Sequence, residues 1–173
     1  MEYSTIIAGD KSYTQTEMYV LPGKDGIEFL NNKDLLYHII SKLLEPIFEK
    51  YDTVDIYTTD QTCCDRYVID WATQKDLDVY IYRADWDEDG KSAVYKRNEE
   101  MCKALWPKEH KGMILLWDGE NKSTLDFIVK SHEYAIPVRV FDYKLKRMLT
   151  NEELSQIQVA NVNRKLKNKR TGG

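Results

Sequence analysis

Lys91 and Arg97 stand close together in a stretch that also holds Asp85, Trp86, Gly90 and Asn98. Two cationic side chains on one loop and the helix it feeds can hold a diphosphate or a carboxylate, and the planar fork of arginine engages two oxygens at once. Asp85 could accept from a ribose hydroxyl or carry a proton, and Trp86 could stack on a base. Plainer roles compete with each of these. Solvation on a helix surface would account for the cations, turn formation for Asp85 and core packing for Trp86.

Further polar clusters follow other apolar runs: Gly9-Asp10-Lys11, the stretch from Thr58 to Asp65 with Thr59 and Asp60, and Asp118 to Thr124 with Ser123. Asp65 reads either as a ligand contact or as the cap of the next helix, and capping is the simpler role. Cys63 and Cys64 either fill a small space or place a thiol at a helix start, where the dipole lowers its pKa. Counting residues removes several alternatives. The run Asp85 to Gly90 imitates a calcium loop, but Lys96 stands where that loop needs its bidentate glutamate. Gly90-Lys91-Ser92 imitates the end of a P-loop, yet Asp85 occupies the position of the first glycine. Gly9 alone does not make a dinucleotide fingerprint. His38, His110 and His132 are scattered away from ligand spacing, so neither a metal nor a cofactor is expected.

The elements that must position these residues are legible as an alternation. Runs rich in β-branched and aromatic residues, Ser4–Ala8, Val54–Thr58, Val79–Tyr82, Met113–Trp117 and Val138–Phe141, are separated by stretches of helical spacing. The pattern predicts a Rossmann-like three-layer α/β/α domain with about five parallel strands. Leu35, Leu36, Ile39, Ile40, Leu43, Leu44 and Ile47 form one helical stripe, which Pro46 should end or kink. Further helices are expected near 64–75, 92–105 and 123–134. Ser123 with Asp126, and Thr150 with Glu153, have the spacing of capping boxes. Residues 14–33, with Pro22-Gly23 and Asp25-Gly26, break the alternation and predict an inserted loop or hairpin that could cover a site. Ligands in such sheets bind outside the carboxyl ends of the strands, which is where the polar clusters fall.

Composition sets the outer limits. A chain of 173 residues with 42% hydrophobic side chains can bury a core without disulfides, so one domain is expected over residues 1–160. The net charge of -4 argues against a general nucleic-acid binder or a membrane-surface protein. Three cysteines and the lack of a long apolar run point to a cytoplasmic protein. Arg164, Lys165, Lys167, Lys169 and Arg170 make residues 161–173 a basic, flexible tail, and the terminal Gly172-Gly173 carries no weight.

Taken together, Ala84-Asp85-Trp86, Gly90-Lys91 and Arg97-Asn98-x-x-Met101 resemble the A-D-W…G-K…R-N-x-x-M signature of the YspA/YpsA-related branch of the SLOG superfamily, a set of Rossmann-like nucleotide-binding domains. Gly9-Asp10-Lys11-x-Tyr13 is similar to that branch's G-x-[RK]-x-[YF] opening, displaced by one residue. Asp65, Trp71 and Ala72 fall where it has D and W-A, so the resemblance covers roughly residues 4–141. It implies a nucleotide-type or ADP-ribose-like ligand held by Gly9, Asp10, Lys11, Thr59, Asp60, Asp85, Trp86, Lys91, Arg97, Asn98, Ser123 and Thr124. It also implies a homodimer.

The chain departs from this pattern where the family is glycine-rich. Its loops read Thr59-Asp60-Gln61-Thr62-Cys63-Cys64-Asp65 and Gly119-Glu120-Asn121-Lys122-Ser123-Thr124, and only Thr124 survives well from the second. Backbone without Cβ can approach phosphate closely, so side chains here must supply more of any binding. Related phosphoribohydrolases carry an arginine that Arg97 matches and a glutamate whose place Phe127 takes, with Asp126 beside it. Sensing or sequestering a nucleotide is therefore the first expectation. N-glycosidic hydrolysis, with Arg97, Asp126 and Asp85 as candidate catalytic residues, is an alternative. A protein-binding scaffold is another.

Overall fold

Residues Ser4 to Ala8 are all buried, without the alternation of a sheet that faces water on one side. They belong to a strand with cover on both faces. The computed structural model of the chain describes residues 1–10, 19–23, 26–30 and 32–171. In chain order these form β1 (Glu2–Gly9), β2 (Tyr19–Gly23), β3 (Gly26–Leu30), α1 (Asn32–Lys50), β4 (Thr53–Thr59), α2 (Cys63–Gln74) and β5 (Val79–Tyr82). The single turn α3 (Trp86–Asp89), then α4 (Ala93–Leu105), β6 (Lys111–Trp117), α5 (Lys122–Glu133), β7 (Val138–Asp142), β8 (Arg147–Met148) and α6 (Asn151–Thr171) complete them.

The central sheet runs β5-β4-β1-β6-β7-β8. Its first five strands are parallel, with Ile6 opposite both Tyr57 and Met113 at the centre. Only β8 is antiparallel, pairing Phe141 with Met148 at the edge. The expected three-layer α/β/α fold is therefore present, extended by one short strand. Successive residues of β1 feed opposite layers, as the pleat requires. Ile7 joins Leu36, Ile40 and Trp71 under α1 and α2, whereas Ile6 joins Met101, Phe127 and Ile128 under α4 and α5.

The chain steps outward from β1 to β4 and β5, then returns to β6 on the other side of β1. This reversal opens a crevice at the carboxyl ends of β1 and β6, the usual ligand position in an open α/β sheet. Every polar cluster singled out above follows a strand on that edge.

Several local expectations change. Helix α1 does not end at Pro46 but continues to Lys50, and Tyr51 still donates its N–H to the Ile47 carbonyl at 2.9 Å. Pro46 and Lys42 are both exposed, so water can serve the Lys42 carbonyl that proline cannot. Helix α5 is capped not by Ser123 but by Asn121, whose side chain accepts from Thr124 N–H at 3.1 Å. Asp126 is turned to other partners. The Thr150–Glu153 capping box is present, with N–H contacts of 3.1 and 3.0 Å in the two directions. Strands β2 and β3 pair antiparallel and give the hairpin expected within 14–33, while residues 14–18, 24, 25 and 31 lie outside the described residues. Helix α6 extends to Thr171 through positions expected as a tail, and Gly172-Gly173 lies outside the described residues.

Candidate functional site

Asp10 is the first residue beyond β1, and it is buried. Its carboxylate accepts the backbone N–H of Asp118 at 2.6 Å and the hydroxyl of Thr124, so one side chain ties the end of β1 to the β6 loop and to α5. Burial pushes its pKa up to about 7 despite these hydrogen bonds, with the neighbouring charge of Asp118 adding to the rise. Asp10 therefore changes protonation near neutrality.

A second buried carboxylate, Asp65, holds the β4 end. It accepts from the Thr59 hydroxyl, from Gly9 N–H at 3.3 Å and from Thr62 N–H at 3.1 Å. Thr62 answers by accepting Asp65 N–H at 3.1 Å and donates its hydroxyl to the Gly9 carbonyl at 3.2 Å. This is the capping box of α2, so the simpler reading of Asp65 holds. Its carboxylate also fixes the β1 terminus. Gly9 is required here because a Cβ on it would stand 2.2 Å from Cys64 Sγ, a clash with the first turn of α2. Cys64 thus fills space, as one of its two readings held.

Arg97 reaches the same place from α4. Although charged it is only 4% exposed. Its Nη1 donates to Gln61 Oε1 at 2.8 Å and its Nε to Asn98 Oδ1 at 3.1 Å. Among the described residues no carboxylate lies within ion-pair distance of the guanidinium. Burial pushes its pKa down from the ordinary value, while the more distant charges of Asp65, Asp60 and Asp126 oppose that. The group stays a cation.

Gly9, Asp10, Thr59, Gln61, Thr62, Asp65, Arg97, Asn121, Ser123, Thr124 and Phe127 line one cleft of about 130 Å³ at the carboxyl ends of β1, β4 and β6. Of the residues expected to bind, the structure thus gathers Gly9, Asp10, Thr59, Arg97, Ser123 and Thr124, with Asn98 directly behind Arg97. Thr124 is already engaged by Asp10. Asp60 instead pairs with Arg83 at 2.6 Å, and Asp85 caps α3 by accepting Glu88 N–H at 3.1 Å. Trp86 is 53% exposed and Lys91 is also exposed, so neither lines the cleft and Trp86 is not core. Asp126 contacts Asn98 and Lys130 rather than the cleft. Lys11 lies outside the described residues. A larger groove of about 620 Å³ on the outer side of α1, lined by Ser41, Lys42, Glu45 and Lys75 among others, lies away from the strand ends.

Gln61, Thr62 and Asn121 lie within the stretches expected at the strand ends but are not among the residues singled out there as ligand contacts. Thr62 with Asp65, and Asn121 with Thr124, do carry a signal in their three-residue spacing, but that spacing announces helix caps rather than ligand contacts. No protein-family model, curated protein or solved structure matches the chain.

Proposed function

We propose that the chain binds a phosphorylated, nucleotide-type small molecule, such as a nucleoside monophosphate or an ADP-ribose-like compound, and acts as a sensor or sequestering module. The observation that carries this reading is Arg97: a guanidinium almost removed from water, held by two neutral oxygens and lacking a carboxylate partner among the described residues. A buried cation of that kind is costly until an anion joins it, which makes the cleft complementary to one. The N-terminal ends of α2 and α5 border the same cleft through Thr62 and Asn121, and their dipoles favour negative charge.

Size refines the proposal. Pockets for whole drug-sized ligands span about 300–1,000 Å³. A cleft of about 130 Å³ suits the phosphate or its sugar, with the base outside. Membership of the SLOG superfamily is part of the same proposal, supported by the inward placement of Arg97, Asn98 and Met101 from its signature.

A second reading is favoured by Asp10. A buried carboxyl that titrates near 7 in a ligand cleft has the properties of a general acid or base, so hydrolysis of an N-glycosidic bond stands as the alternative. Phe127, buried in the place of the expected glutamate, weighs against it. Calorimetry with AMP, ADP-ribose and inorganic phosphate, followed by mass spectrometry of the recovered ligands, tests both. Binding with intact recovery supports the sensor, free base establishes the hydrolase, and no binding by any of the three ends the nucleotide reading.

Homodimerisation belongs to the same proposal, supported by the exposed Tyr80 and Ile81 on edge strand β5. Light scattering at micromolar concentration that returns a mass of 20.4 kDa would reject it.

A further inference from the structure

We infer that Asp126, which does not line the cleft, is a positioning residue that sets the orientation of Arg97 through Asn98, with Lys130 holding it in place. The inference rests on the reading of Arg97 as the anion anchor. Asn98 is completely buried, and its amide is used on both sides. Oδ1 accepts Arg97 Nε at 3.1 Å, while Nδ2 donates to the Ser123 carbonyl at 3.2 Å and to Asp126 Oδ2 at 3.1 Å. Turning this amide over would set donor against donor at Arg97 and acceptor against acceptor at Asp126. The carboxylate, together with the Ser123 carbonyl, therefore holds the oxygen end of the amide toward the guanidinium.

Lys130 donates to both oxygens of Asp126 at 2.6 Å, and its side chain is only 11% exposed. Glu99 lies 3.9 Å from the same ammonium and accepts the Tyr134 hydroxyl. The polar seam between α4 and α5 thus leads without a break from Tyr134 to Arg97. At its inner end Nη1 is taken by Gln61 and Nε by Asn98, and Nη2 has no hydrogen-bond partner among the described residues. Fixing the first two nitrogens fixes the plane in which the third is offered. Preorganisation of this kind strengthens binding without touching the ligand.

Replacement of Asp126 by asparagine makes the test specific. The new amide offers one acceptor oxygen where the carboxylate offered two, and Lys130 and Asn98 Nδ2 both draw on it, so the Asn98 amide is held less firmly against Arg97 Nε. Protein carrying ¹⁵N-arginine, with the Arg97 signal identified by its loss in Arg97→Lys, reports the Nε–H directly. In Asp126→Asn this proton should exchange with water about tenfold faster, as expected for the loss of a hydrogen bond to a charged group. AMP affinity should fall by about tenfold in the same variant and by nothing further when Asp126→Asn is added to Arg97→Met. If Asp126→Asn does not fold, Asp126→Asn combined with Lys130→Met removes both charges and carries the same measurements. An unchanged Arg97 Nε–H in the folded variant overturns the inference. So does an equal loss of AMP affinity when Arg97 is already methionine. If AMP binding ignores Arg97→Met, the anchor reading of Arg97 fails, and the Nε–H measurement still decides the positioning.

Discussion

Asp118 donates its backbone N–H to the carboxylate of Asp10 at 2.6 Å, a contact between residues 108 positions apart in the chain. It joins the two strand ends that flank the topological crevice. The same carboxylate also takes the Thr124 hydroxyl, so the β1–β6 side of the crevice is tied together through one titratable group.

Stability should record that titration. The folded pKa of Asp10, about 7, lies above its unfolded value of about 4, so between these limits the folded state holds a proton the unfolded chain has released. Its contribution is complete below about pH 4 and lost as pH rises through 7, a fall of roughly 2–4 kcal/mol. Burial shifts Asp65 and Asp55 in the same direction, so the informative quantity is a difference between proteins. Urea denaturation from pH 4 to pH 8 should show a flatter profile for Asp10→Asn than for the native chain. Parallel profiles would show that Asp10 ionises normally.

Arg97→Met retains much of the apolar stem and removes the buried charge. Since a buried charge without a counter-ion contributes little net stability, the variant should unfold within about 1 kcal/mol of the native chain or above it. AMP affinity should fall by about 2–5 kcal/mol, and Arg97→Lys should recover part of it because lysine keeps charge without the fork. Calorimetry and thermal melts on both variants check this. A collapse in stability would make Arg97 structural instead.

Gly9→Ala should destabilise by about 1–3 kcal/mol, because the new Cβ falls 2.2 Å from Cys64 Sγ and the α2 start must move. Cys64→Ala clears that space. In a double-mutant cycle the paired substitution should cost less than the sum of the two single ones, and simple additivity would place the strain elsewhere.

Ala135 ends α5 with φ 52°, and Ile136 N–H closes back on the Ser131 carbonyl at 2.8 Å. This left-handed helix end favours glycine. Ala135 is exposed, so Ala135→Gly loses no packing and should stabilise by roughly 0.5–1 kcal/mol, read as a rise in melting temperature.

The sheet was legible in the sequence because each parallel strand is a short apolar run followed by a helical stripe. Strand β8 was not, since two residues carry no periodicity. Its pairing depends on a turn in which Asp142 accepts Lys144 and Leu145 N–H and Lys146 takes φ 59°. In the site, Arg97 was found through neighbours on its own helix. Its burial was not, because that depends on α5 lying across α4. Gln61 meets Arg97 from 36 positions away, and Thr124 meets Asp10 from 114, distances over which spacing rules are silent. Trp86 and Lys91 share Arg97's stretch, but α3 and the turn Gly90–Ser92 leave them exposed.

Of the four tryptophans, Trp71 and Trp117 are buried whereas Trp86 and Trp106 are 53% and 62% exposed. The indole N–H of Trp117 donates at 3.1 Å to the carbonyl of Asn121, the residue that caps α5 and borders the cleft. Soluble quenchers such as iodide reach the exposed pair first, leaving emission dominated by the two interior indoles. Any ligand that displaces Asn121 alters the hydrogen bond of one of these, and with it the colour and lifetime of its fluorescence. The chain thus carries an indole bonded directly to a residue of the cleft wall, an intrinsic optical reporter on the position of Asn121 that needs neither dye nor label.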